Sequence, residues 1–76
     1  ARPRGWLVRG AGRLATGRPA EAQDDLQQAL SLDPRSASGW SLLASARAAL
    51  GDAAGALAAL DQQVRLDPAA GAAWLR

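Results

Sequence analysis

The fold is decided by residues 37–70, which read ASGWSLLASARAALGDAAGALAALDQQVRLDPAA. A shift of 34 positions places much of this stretch on the residues that precede it. All three tryptophans of the chain obey this period, because Trp6, Trp40 and Trp74 are spaced by 34 residues. Further coincidences include Gly17 with Gly51, Ala20 with Ala54, Ala22 with Ala56, Leu26 with Leu60, and Leu32-Asp33-Pro34 with Leu66-Asp67-Pro68. A fixed period of this length is typical of proteins built from stacked repeats.

The period divides the chain into two full repeats, residues 3–36 and 37–70, and the opening of a third at residues 71–76. Apolar residues recur at spacings of three and four, which predicts helices over about 5–16, 19–32, 37–50 and 53–66. Pro19 suits a first helical position. Ser36 or Ser38 is expected to cap the third helix, and Gly51 followed by Asp52 ends that helix and caps the fourth. Short loops make neighbouring helices antiparallel, so the predicted fold is all-α.

The period and the residues at its fixed positions resemble the tetratricopeptide repeat family, whose units carry a tryptophan, a leucine-glycine pair, a tyrosine, an alanine and a proline at set offsets. The matching residues are Trp6, Gly10, Gly17, Ala22, Leu26 and Pro34 in the first repeat, Trp40, Leu43, Ala44, Gly51, Ala56, Leu60 and Pro68 in the second, and Trp74 beyond them. Arg9 departs from the family leucine, and Arg13 and Arg47 from the tyrosine. The resemblance covers essentially the whole chain and implies antiparallel helix-turn-helix units stacked as an α-solenoid.

Several packing expectations follow from the repeat. The 34-residue period predicts equivalent, largely buried places for Trp6 and Trp40. Small residues are expected where the two helices of a repeat meet, since larger side chains would push the helices apart. These small residues are Gly10, Ala44, Ala22 and Ala56, and the apolar stripe of the last helix is expected to be Leu57, Leu60 and Val64.

The composition excludes much chemistry. The chain has no His, Cys, Met, Tyr or Lys, so it can build neither a cysteine- or histidine-based metal site nor a Ser-His-Asp triad. We therefore expect no catalytic, cofactor-binding or metal-binding residues, and no enzyme activity. No apolar run is long enough to span a membrane, and no signal-peptide core follows the N-terminal residues. The excess of Ala and Arg indicates a bacterial gene, with cytoplasm and periplasm both open.

Three local patterns have a plainer interpretation than a functional site. Residues 10–15 fit a dinucleotide-binding glycine motif, but no strand precedes them. The basic residues of the first eighteen positions are expected to pair with the neighbouring helix or an upstream repeat rather than with nucleic acid, with an acidic protein partner as the alternative. Glu21, Asp24 and Asp25 are expected to lie on a solvated helix face, because neighbouring carboxylates on a helix do not converge.

The family resemblance implies a protein–protein interaction scaffold that binds a peptide, helix or subunit on the concave face of the first helix of each repeat. The positions carried over to that face are Arg4, Leu7, Ala11, Leu14, Ser38, Ser41, Ser45 and Ala48. Family members that grip a C-terminal carboxylate use a clamp whose positions fall here on Leu7, Ala11, Leu42, Ala72 and Arg76, of which only Arg76 has suitable chemistry. Further flanking repeats or a larger complex are expected. The alternative is a non-catalytic repeat segment of a larger enzyme or of a membrane or secretion assembly.

Overall fold

A computed structural model describes residues 3–66, which form four helices without a strand. The helices are α1 (Pro3–Ala15), α2 (Pro19–Leu32), α3 (Ala37–Ala49) and α4 (Ala53–Leu66). The predicted all-α, helix-turn-helix class is confirmed. The third repeat predicted at 71–76 lies outside the described residues, as do Pro68, Ala72, Trp74 and Arg76.

The helices differ from the predicted bounds only at their ends. α1 begins at Pro3, two residues before the predicted start, because proline costs no hydrogen bond in the first turn of a helix. α1 and α3 each end one residue earlier than predicted, at Ala15 and Ala49. The residue after each end, Thr16 or Leu50, belongs to the turn.

The turn inside each repeat has the same backbone structure. Gly17 and Gly51 have φ values of 77° and 82°, a region that glycine enters without steric cost. The amide three residues beyond α1, that of Arg18, donates back to the carbonyl of Arg13 at 2.7 Å. Asp52 makes the equivalent bond to Arg47 at 2.8 Å. Both turns are therefore glycine-terminated helix ends of the Schellman type, in which the freed carbonyls are satisfied.

The linker between the repeats, residues 33–36, is held by its own hydrogen bonds. The Ser36 hydroxyl accepts from the Gly39 amide at 3.1 Å, which identifies Ser36 rather than Ser38 as the cap of α3. The Trp40 indole donates its Nε1 proton to the carbonyl of Pro34 at 2.9 Å.

In the second repeat, Asp52 caps α4 as predicted, because its Oδ1 accepts from the Gly55 amide at 2.9 Å.

The core lies between the two repeats and is built mainly by α2 and α3. Its largest fully buried side chains are Leu26 and Leu43. The smaller or less completely buried members of the cluster are Ala22, Leu30, Ala44, Ala46 and Ala59, and Leu7, Leu14, Trp40 and Leu42 pack against them. α1 packs on α2, α3 on α4 and α2 on α3, so the two helix pairs form one continuous packing unit.

Small residues lie at the helix contacts where the repeat pattern predicts them. A Cβ on Gly10 would lie 2.8 Å from Cγ of Leu26, so only glycine fits there without a shift. Ala22, Ala44 and Ala56 are all buried. The prediction that these positions demand small side chains between paired helices is confirmed.

The tryptophans and the last helix differ from the prediction. Trp6 and Trp40 are half-buried rather than largely buried, and only Trp40 packs against the core cluster. Their contacts also differ, since the Trp40 indole donates to the carbonyl of Pro34, whereas the guanidinium carbon of Arg9 lies 5.9 Å from the centre of the Trp6 ring. In α4 the predicted stripe is wrong: Leu57, Leu60 and Val64 are exposed, and Ala56 and Ala59 are the buried residues.

Candidate protein-interaction surface

The predicted binding residues lie on the first helix of each repeat, four on α1 and four on α3. We call them the A-helix strip. Its members form pairs 34 residues apart: Arg4 with Ser38, Leu7 with Ser41, Ala11 with Ser45, and Leu14 with Ala48. The two helices contact each other less extensively than the helices within a repeat do. The strip is therefore a surface on two neighbouring helices rather than a closed cavity.

The strip is only partly available to a partner. Leu7 and Leu14 are half-buried because they pack against the core cluster. A Cβ on Gly39 would lie 3.3 Å from Cδ2 of Leu7, which shows that Leu7 reaches across from α1 to α3. The α3 half is more open, since Ser45 and Ala48 are exposed.

The polar character of the strip comes from hydroxyl groups. Ser45 Oγ donates to the carbonyl of Ser41 at 3.3 Å, one turn earlier in the same helix, and Ser38 is exposed. Such back-bonding to the preceding turn satisfies a hydroxyl locally. Arg4, also exposed, is the strip's one charged residue. The surface therefore offers small, mostly uncharged groups.

A second polar cluster, the ion cluster, lies between α1 and α2. Arg13 Nη1 is 3.1 Å and Arg9 Nε is 3.5 Å from Oδ2 of Asp25. Arg13 Nε and Arg18 Nη1 lie 3.6 Å and 3.7 Å from Oε2 of Glu21. The prediction that the basic residues near the N-terminus pair with the neighbouring helix is confirmed for Arg9 and Arg13, whereas Arg18 pairs within the helix that it caps.

Asp25 corrects the prediction of a solvated acidic face. Its residue surface is only 4% exposed, whereas Asp24 beside it is exposed as expected. Neither arginine gives Asp25 Oδ2 a well-aligned hydrogen bond, so the carboxylate depends on charge attraction at this oxygen. Removing a carboxylate from water costs free energy that nearby cations must offset. The ion cluster is therefore a structural feature of the first repeat.

The sequence contained a signal for this cluster that the composition-based interpretation missed. Arg9 and Arg13 are four residues apart on α1, and Glu21 and Asp25 are four apart on α2. That spacing places each pair on one helix face. Asp25 also stands where the second repeat has the buried Ala59, which indicates an inward position.

Arg9 makes one further contact, since its guanidinium carbon lies 5.9 Å from the centre of the Trp6 ring. This distance is within the range of a cation–π interaction. Arg9, Arg13 and Arg18 are thus all engaged with neighbouring side chains.

Two further observations bear on function. Within residues 3–66, no group of three or more acidic side chains is placed to hold a metal ion. In the same part of the chain, none of the helices is both long enough and apolar enough to cross a bilayer.

Two helical hairpins with equivalent turns, packed through a shared core, define an α-helical repeat protein. The family model of the tetratricopeptide repeat matches residues 13–76, and the chain belongs to that family. No curated protein matches the chain significantly. Membership supports a protein-interaction module in general, because repeats of this family generally serve protein interaction.

Proposed function

We propose that the chain binds a segment of a partner protein on the A-helix strip. One observation carries the proposal. Seven of the eight strip residues on α1 and α3 have small or apolar side chains, five of them alanines or serines, and Arg4 is the exception. Repetition at a 34-residue shift extends one kind of surface across both repeats, which suits an elongated ligand.

The chemistry of the strip favours an apolar or helical ligand over a free carboxylate. Alanine and serine side chains leave shallow spaces for the larger side chains of an amphipathic helix, a known mode of recognition. A terminal carboxylate needs converging cations, and the described part of the strip supplies one, Arg4. A single exposed ion pair contributes at most about 1 kcal/mol. Side chains of the ligand, rather than its terminus, therefore provide the affinity.

The proposal is tested by NMR titration of the isotope-labelled chain with two peptides. The first is an amphipathic helix with leucines at positions i, i+3, i+4 and i+7. The second is an acidic extended peptide with a free C-terminus. We expect the helical peptide to shift the amide signals of α1 and α3. Ser45→Arg and Ala48→Arg add bulk and charge to exposed strip positions and should weaken that binding about tenfold, which corresponds to about 1.4 kcal/mol.

Ala58→Arg is the matched control, because Ala58 is an exposed alanine on α4, away from the strip. It should leave helical-peptide binding unchanged. Shifts confined to α2 and α4 would contradict the proposal. So would tight binding of the acidic peptide that is lost in Arg76→Ala, since that result would restore a carboxylate clamp.

A further inference from the structure

The repeat period makes the helices of the two hairpins alternative partners for one another. Trp6 of α1 has its equivalent in Trp40 of α3, and Ala22 of α2 has its equivalent in Ala56 of α4. Because such residues recur, α3 placed on α2 in the manner of α1, or α1 placed on α4, would bury similar apolar groups. A single structure therefore requires residues that favour the correct helix pairs over these exchanged pairs.

In the first repeat, the contact that distinguishes the correct pair is ionic. Arg13 Nη1 and Arg9 Nε lie 3.1 Å and 3.5 Å from Oδ2 of Asp25, whose side chain is only 5% exposed. Arg13 Nε also lies 3.6 Å from Oε2 of Glu21. Two cations of α1 thus face two carboxylates of α2. A carboxylate removed from water requires a partner helix that supplies cations at these positions.

In the second repeat, the corresponding positions are small or apolar. Leu43 and Ala59 are 1% and 0% exposed, and they occupy the positions of an arginine and an aspartate in the first repeat. A Cβ on Gly55 would lie 2.9 Å from Cδ of Arg47, so the arginine stem crosses α4 where α4 has no side chain. The helix α3 therefore fits a partner with small residues at these two positions.

Each exchanged pair would lose one of these matches. With α3 in the place of α1 on α2, Leu43 would stand against the buried carboxylate of Asp25, and the stem of Arg47 would meet the side chain of Glu21 instead of a glycine. With α1 in the place of α3 on α4, the two arginines of α1 would find glycine and alanine where they now find carboxylates. Charges left without partners at a helix contact disfavour both exchanges.

Within this contact, the pair that carries the distinction is Arg9 with Asp25. The next position on the first helix is arginine in both repeats, Arg13 and Arg47, so it discriminates less between the pairs. We infer that the Arg9–Asp25 ion pair selects α2 as the partner of α1 and excludes exchange of helices between the hairpins. This role concerns which helices pair, so it does not depend on the A-helix strip or on the proposed binding function.

The first experiment is a double-mutant cycle at positions 9 and 25, measured by urea unfolding of the full chain. Arg9→Leu alone places leucine against Asp25, as in α3 on α2, and Asp25→Ala alone places Arg9 against alanine, as in α1 on α4. Each single variant should lower the folding equilibrium constant about fivefold, and the double variant should restore it. The two single effects multiplied would then overestimate the loss in the double variant about 25-fold.

The second experiment tests whether the chain still refolds to one structure. After refolding from urea, the unaltered chain should give one set of amide signals in NMR spectra and the mass of a monomer by sedimentation. Arg9→Leu with Asp25→Ala should give additional signals and a fraction of larger mass, because helices can then exchange between hairpins and between copies.

Arg35→Leu with Asp24→Ala is the matched control. It makes the same two replacements and leaves the net charge unchanged, but both residues are exposed and lie outside the ion cluster. This variant should refold as the unaltered chain does, with one set of signals.

Selection of the helix pair by Arg9 and Asp25 is overturned if the two single effects simply multiply in the double variant, because neither residue then recognises the other. It is equally overturned if the double variant refolds to a monomer with one set of signals, as the control is expected to do. Neither result bears on the peptide titration of the A-helix strip, so the two proposals fail separately.

Discussion

At equivalent positions, the first repeat has an ion pair between its two helices and the second repeat has apolar side chains. Arg9 and Asp25 meet across α1 and α2 at the positions where the second repeat has Leu43 and Ala59. Leu43 and Ala59 are almost completely buried, whereas the first repeat fills this contact with an ion pair. The α2 and α4 position is buried in both repeats, as Asp25 and as Ala59, so burial there does not dictate polarity. The position on the first helix differs, because the Arg9 side chain is 56% exposed where Leu43 is buried.

The arginine one turn further along the first helix of each repeat, Arg13 or Arg47, also has different partners in the two repeats. Arg13 binds the carboxylates of Asp25 and Glu21. Its equivalent, Arg47, donates from Nη1 to the backbone carbonyl of Gly55 at 3.2 Å. Gly55 stands at the position of Glu21, so the arginine reaches the start of the second helix in both repeats. A side-chain acceptor in one repeat is replaced by a backbone acceptor in the other.

The largest difference between the repeats is expected at their apolar positions. Leu26→Ala should lower the free energy of unfolding by about 3 kcal/mol, because it empties a fully buried site. Leu60→Ala, the same change in the second repeat, should cost under about 1 kcal/mol, since that side chain is already 42% exposed. Urea unfolding at low micromolar concentration measures both. Equal losses would show that Leu60 is covered in solution.

An intermediate effect is expected from the ion cluster. Arg13→Gln should destabilise the chain by about 2 kcal/mol, because Asp25 then keeps only the longer contact to Arg9 in a buried place. Asp25→Ala should cost less, about 1 kcal/mol, because the side chains of Arg9 and Arg13 are 56% and 26% exposed and can be hydrated. Urea unfolding should therefore rank Arg13→Gln as the more damaging change.

The double variant Arg9→Leu with Asp25→Ala gives the first repeat the residues of the second and leaves the net charge unchanged. Replacing a buried ion pair with apolar side chains is often neutral or stabilising. We expect the double variant to be at least as stable as the unaltered chain, and up to about 1 kcal/mol more stable. A loss of several kcal/mol would mean that the first repeat requires the ion pair.

The smallest effects are expected at two glycines of α1, and their signs should be opposite. Gly10→Ala places a methyl group 2.8 Å from Leu26 Cγ, so overpacking outweighs the gain in helix propensity and the net loss is about 1 kcal/mol. Gly12→Ala meets nothing within 4 Å and should stabilise the chain by about 0.5–1 kcal/mol. Thermal unfolding by circular dichroism should move the midpoints in opposite directions. Stabilisation by both changes would mean that α1 lies further from α2.

The regular features of the fold could be predicted from the sequence because local rules determine them. Gly17 and Gly51 mark turns that need a positive φ, and Asp52 caps α4 through its own side chain. The period then placed equivalent helices in order. These features depend on residues within a few positions of each other, so one sequence is enough to predict them.

The errors concern burial, which depends on what lies opposite in space. Leu60 and Val64 have the pattern of a buried stripe, but burial requires a covering helix that the described residues do not supply. Asp25 has the polarity of a surface residue, yet two arginines from another helix permit its burial. The role of the A-helix strip stays a prediction, because its small uncharged side chains do not identify the ligand that binds them.

The hydrogen bond from the Trp40 indole to Pro34 has a mechanical consequence. It ties the first turns of α3 to the linker, and the Ser36 hydroxyl clamps the same turn from within. Bending one hairpin relative to the other must break or stretch these bonds as well as slide α3 over α2. Rotation of α3 about the linker therefore meets resistance from two hydrogen bonds as well as from the packing of α3 on α2, which stiffens the hinge between the two hairpins.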